Sequence, residues 1–80
     1  MTTDERINAM DFAMNYHKNV LTVSINPGRE RYITDYGRAL NAAPVHIHLT
    51  MRDGTQMRRA SQNDYKQVLT TIAEMIEEML

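Results

Sequence analysis

Residues 45–51, Val-His-Ile-His-Leu-Thr-Met, alternate apolar and polar without a break. In an extended chain a period of two sends successive side chains to opposite faces. Val45, Ile47, Leu49 and Met51 therefore face a core, while His46, His48 and Thr50 face outward. Arg52-Asp53-Gly54 follows and turns the chain. A two-residue Asp-Gly turn would pair Leu49 with Arg58 and mix the two faces. A three-residue loop with Gly54 left-handed pairs Leu49 with Met57 and His48 with Arg58, which keeps the apolar face apolar; this register is the predicted one.

The flanking segments supply what such a strand needs. Residues 2–18 read as a helix: Thr2 and Glu5 fit a capping box, and Asp4, Asn8, Asp11, Asn15 and Lys18 share one polar face. Ile7, Ala9, Met10, Phe12, Ala13, Met14, Tyr16 and His17 fill the remaining arc, which is wider than one packed face requires. Leu21-Thr-Val-Ser-Ile25 alternates again and reads as a second half-buried strand.

Asn26-Pro27-Gly28 then admits two readings. One is a type II turn opening a hairpin; the other is an Asn cap with Pro in the first helical position. Tyr32, Ile33, Tyr36, Ala39, Leu40 and Ala43 fall within about 120° on a helical wheel, which favours a helix over 28–42, stopped before Pro44. Ser61, with Asp64 three residues on, is read as the cap of a last helix. Along it Tyr65, Val68, Leu69, Ile72, Ala73, Ile76, Met79 and Leu80 recur at spacings of three and four.

The predicted fold is one α+β domain over 1–80, in the order α-β-α-β-β-α, with a short mixed sheet covered by the N- and C-terminal helices. An extended middle segment would change this to α-β-β-β-β-α with an antiparallel sheet. So small a domain, without disulfides, is usually supported by self-association, which makes a homodimer the expectation. The wide first-helix face and the Met-rich chain end are its expected interface: Met10, Phe12, Met14, Tyr16, Met75, Ile76, Met79 and Leu80.

Composition narrows the function classes. With no Cys there is no thiolate nucleophile or Cys-built zinc site. No apolar stretch approaches the ~18 residues of a membrane span, and the start lacks a signal-peptide core, so a cytoplasmic soluble protein without membrane contact is expected. A net charge of −1 gives no global field toward a polyanion. The charge is nonetheless segregated. Residues 20–60 carry Arg29, Arg31, Arg38, Arg52, Arg58 and Arg59 against Glu30, Asp35 and Asp53, whereas Glu74, Glu77 and Glu78 crowd the last helix.

Catalytic signatures are missing. There is no Gly-rich phosphate loop and no His-Glu-x-x-His motif, and Ser24 and Ser61 are the only serines. Arg58-Arg59-Ala60-Ser61 matches a basophilic kinase substrate pattern too short to carry weight. His46 and His48 point the same way, ~6–7 Å apart, but nothing near them in sequence supplies a third metal ligand, and neither metal nor cofactor is assigned. What remains is an Arg- and His-rich surface: Arg29, Arg31, Arg38, His46, His48, Arg52, Arg58 and Arg59 are expected to face a partner.

The expected function is a non-catalytic protein-binding module that inhibits or adapts by occupying another protein's surface. A compact, cysteine-free, motif-free profile of this kind is common among phage-encoded inhibitors of host machinery, anti-CRISPR proteins included. Two other readings stay open: a nucleic-acid-binding regulator using the Arg-rich middle, and a small structural or assembly subunit.

Overall fold

The computed structural model describes residues 1–27 and 44–80. The predicted helix over 28–42 lies outside them, as do Arg29, Arg31 and Arg38. Among the described residues the order is α1 (Thr3–Tyr16), β1 (Val20–Pro27), β2 (Val45–Met51), β3 (Gln56–Ser61) and α2 (Tyr65–Met79). The class is α+β, as predicted, and the three described strands, in the order β1-β2-β3, pair antiparallel, as in the alternative reading rather than in the mixed sheet. Val20 pairs with Met51 and Pro27 with Val45, so the chain leaves β1 and enters β2 at the same end of the sheet. A parallel pairing would have required a crossover to the opposite end.

Helix α1 begins where its capping box places it. Glu5 N donates to Thr2 Oγ1 and Thr2 N to Glu5 Oε1, which satisfies two amides that the first turn leaves without partners. The wide apolar arc is only partly used. Ala9 and Ala13, four residues apart, are fully buried, and their small side chains let the helix approach β1 and α2 closely. Phe12 and Tyr16 stack on one flank with centroids 5.4 Å apart; Ile7 and Met14 are exposed.

Strand β1 starts one residue earlier than its alternation suggests. A bulge between Val20 and Thr22 makes Leu21 the extra residue of the pairing. The phase therefore slips, and Val20 joins Val23 and Ile25 in the core while Leu21 is 45% exposed.

Strand β2 buries Val45, Ile47, Leu49 and Met51. Leu49 pairs with Met57 and His48 with Arg58, the predicted register. Gly54 takes φ +92°, Gly54 N donates to Met51 O at 3.0 Å and Met51 N to Thr55 O at 2.8 Å. These bonds enclose the three-residue loop, where a side chain at Gly54 would be strained. Thr55 N and Oγ1 both donate to Asp53 Oδ1, at 3.0 and 2.6 Å, and these bonds hold the Asp53 carboxyl below the usual range.

The cap of the last helix differs from the expectation. Asp64, not Ser61, is the cap: Gln67 N donates to its Oδ2 at 3.1 Å. Ser61 is the last residue of β3, paired with Val45 and 8% exposed. Ladder pairing continues through residue 61, and the chain needs Gln62 and Asn63 to turn out of the sheet before a helix can start. So covered a hydroxyl is also a poor phosphoacceptor.

From α2, Val68, Ile72, Met75 and Ile76 are fully buried. Helix α1 packs on β1 and α2, and α2 packs on β3, so both helices lie on one side of the sheet. No helix among the described residues is long and apolar enough to cross a membrane.

Two expectations follow. Asp64→Ala costs about 1 kcal/mol of stability, while Ser61→Ala stays within about 0.5 kcal/mol. Urea denaturation of the two variants separates the assignments. Ile72→Ala, which empties a wholly enclosed position, costs about 2–5 kcal/mol in the same assay.

Candidate functional site

The residues of β2 that do not enter the core define the opposite face. Cross-strand register gives each a neighbour on both sides. Asn26, His46 and Ala60 form one row; Ser24, His48 and Arg58 the next; Thr22, Thr50 and Gln56 the last. Directly opposed side chains in such rows have Cβ atoms ~4.5–5.5 Å apart. Among the described residues no helix covers this face. A shallow concavity of about 300 Å³ lies on it, lined by Ser24, Asn26, His46, Ile47, His48 and Arg58.

Every residue in the first two rows except Ala60 carries a hydrogen-bonding group, and Arg58 is the one formally charged residue among the nine. His48 is half-buried, and its Nε2 donates to Gln56 Oε1 at 2.8 Å. That bond fixes the orientation of the ring. Ser24 stands opposite His48, a juxtaposition that the spacing of the two residues in sequence does not reveal. No hydrogen bond joins them, and none of the nine residues is a carboxylate that could orient the imidazole as a triad would. Among the described residues no three His, Asp or Glu side chains are grouped to hold a metal ion.

The expected partner-facing residues separate. His46, His48 and Arg58 come together on the open face. Arg59 does not join them, because alternation turns it to the helical side. There Nη1 and Nη2 donate to Glu78 Oε2 and Oε1, both at 2.9 Å, a fork that holds the Glu78 carboxyl below its usual range and the guanidinium above its own. Arg52 sits in the β2–β3 loop, where its Nε donates to Lys18 O at 3.0 Å and its backbone N to Asn19 O at 2.7 Å. It ties the loop to the α1–β1 turn.

The residues expected at a dimer interface also separate. Met75 and Ile76 are enclosed in the chain's own core; Met10, Phe12 and Met79 pack partly against it; Met14, Tyr16 and Leu80 are exposed. Ser24, Asn26 and Gln56 belong to the open face but escaped attention in the sequence. The register of β1 against β2 would have found the first two, since Leu49 opposite Val23 forces Ser24 opposite His48.

Because the folded value of Glu78 is depressed, its contribution to stability is present above the unfolded-chain value and disappears as pH falls through the folded one. Arg59→Ala is therefore expected to lose less stability than the parent between neutral pH and about pH 3. Urea midpoints at the two pH values measure the difference. Comparison with protein-family models, curated proteins and solved structures returns no match to this chain, so its function is read from its own geometry.

Proposed function

We propose that the chain is a non-catalytic protein-binding module, acting as an inhibitor or adaptor, which lays the open face of its sheet on a partner's surface. The observation that supports this is the one-sided layering. Both helices pack on the apolar side, and the other side presents Ser24, Asn26, His46, His48 and Arg58 around one concavity. Donors predominate there and the fixed charge is positive, so the complementary surface is acidic or rich in carbonyl acceptors. Arginine is enriched at protein interfaces and forks onto carboxylates.

Size sets the class of contact. Three strands ~4.8 Å apart with a ~3.3 Å rise give a face of roughly 14 by 20 Å. That is well below the ~800 Å² per partner of a stable interface. The contact is of the transient kind unless the partner also reaches around an edge strand. A phage-encoded anti-defence inhibitor is one protein of this type.

A nucleic-acid reading fits less well. Of the described arginines only Arg58 lies on the open face, and none of the nine residues is Phe, Tyr or Trp, which leaves the His46 and His48 rings as the one stacking surface there. Self-association draws its support from the exposed Ile7, Met14, Leu21 and Leu80, with Met75 and Ile76 contributing nothing to it.

The test is affinity capture from the source cell with three baits: the parent chain, Arg58→Glu, and Lys66→Glu on α2. A protein held by the parent and by Lys66→Glu but lost with Arg58→Glu supports the proposal. Capture indifferent to Arg58→Glu overturns it. A captured partner that is released by nuclease replaces it with the nucleic-acid reading.

A further inference from the structure

On the other side of the molecule a groove runs between α1 and α2. Its floor is apolar: Phe12 from α1, with Leu69 and Ala73 from α2, all half-buried. Glu74, Glu77 and Glu78, all exposed, line it as well. It is a broad depression, open to solvent over most of its extent, of about 680 Å³, within the ~300–1,000 Å³ that seats a ligand or an anchoring side chain. Ala73 is part of its floor. It shares a stripe of α2 with Leu69 and Glu77 at four-residue spacing, and its methyl group leaves room that a larger residue would fill.

The charge around the groove is one-sided. Three carboxylates occupy the last two turns of α2, at the negative end of its dipole, and the last turn contains no basic residue. Among the described residues two contacts address them. Arg59 forks onto Glu78, and the Tyr16 hydroxyl donates to Glu77 Oε1 at 3.3 Å. Glu74 accepts no hydrogen bond among the described residues. Partial burial, with the Glu77 charge beside it, holds the Tyr16 hydroxyl above its usual range, the direction expected where the potential is negative.

We infer that this groove docks a basic amphipathic segment of a partner protein, seating a large apolar side chain against Phe12, Leu69 and Ala73 and Lys or Arg side chains against Glu74 and Glu77. Charge complementarity selects this occupant. A nucleic acid is repelled by the carboxylates, and a purely apolar ligand would cover them without compensation. A second copy of the chain fits less well: Arg58 is the one charged residue in the three rows of its open sheet face, and its exposed Ile7 and Met14 share a helix with Asp4 and Asp11. A helix laid into an apolar groove, with anchors at spacings of three and four, is a common mode of peptide recognition.

The surface is separate from the sheet face, and the two can be tested apart. The probe is a helical peptide of about 14 residues with Leu at spacings of three and four and Lys elsewhere, titrated into the full chain and followed by amide chemical shifts. Saturable binding is expected, with the largest shifts at Phe12, Leu69 and Ala73. It weakens about ten-fold in Glu74→Lys/Glu77→Lys, and by a similar factor in Ala73→Met, which fills the groove without altering charge. Arg58→Glu leaves it unchanged. The inference is overturned if a peptide with Glu in place of Lys binds equally well, or if the shifts fall on the sheet face. It is also overturned if the groove amides respond to protein concentration alone, placing a second copy there, or show contacts to residues 28–43 of the same chain.

Discussion

The pairing of β2 with a neighbour on each side organises this molecule. Ile47 and Leu49 are fully buried and Val45 and Met51 nearly so, and they can be enclosed together only while the register holds. A slip of one residue would turn the histidines inward and the aliphatic side chains outward. Two features resist it: the left-handed Gly54 in the three-residue loop, and the β1 bulge, which lets Val20 and Val23 both reach the core. Once β2 is fixed, the helices must lie on its apolar side, and they leave the polar side uncovered.

The same division distributes the charge. A net charge of −1 for the chain goes, among the described residues, with Arg58 as the one fixed charge in the rows of the open sheet face and with three carboxylates at the end of α2. Arg58 and Arg59 show how short the distance between these environments is. Adjacent in sequence and opposite in direction, one stands beside His48 and the other is forked onto Glu78.

The apolar surplus of the chain is smaller than its methionine count suggests. Met75 and Ile76 complete the core beneath α2, beside Ile72 and Val68, and the small Ala9 and Ala13 let α1 close over it. Among the described residues the hydrophobic area left outside lies at Ile7, Met14, Tyr16, Leu21 and Leu80, and at the floor of the helix–helix groove. Dispersed side chains of this kind are ordinary on a small protein; the groove differs because three carboxylates border it, of which Glu74 accepts no hydrogen bond among the described residues.

Much of the scaffold was legible in the amino-acid order. The period of two at 45–51, the Thr2–Glu5 box, the spacing along 65–79 and the glycine at 54 are local signals, and each acts through backbone geometry a few residues wide. The α+β class and the hairpin register follow from them. The bulge at Leu21, the transfer of the cap from Ser61 to Asp64, the antiparallel run of β1 and the burial of Met75 were not legible. Each depends on where a ladder ends or which element packs opposite, and that is a property of contacts between segments far apart in the chain. The candidate site divides in the same way. Alternation alone pointed His46 and His48 outward, but only strand pairing could bring Ser24, Asn26 and Arg58 beside them, and only helix packing could set Phe12 against Ala73.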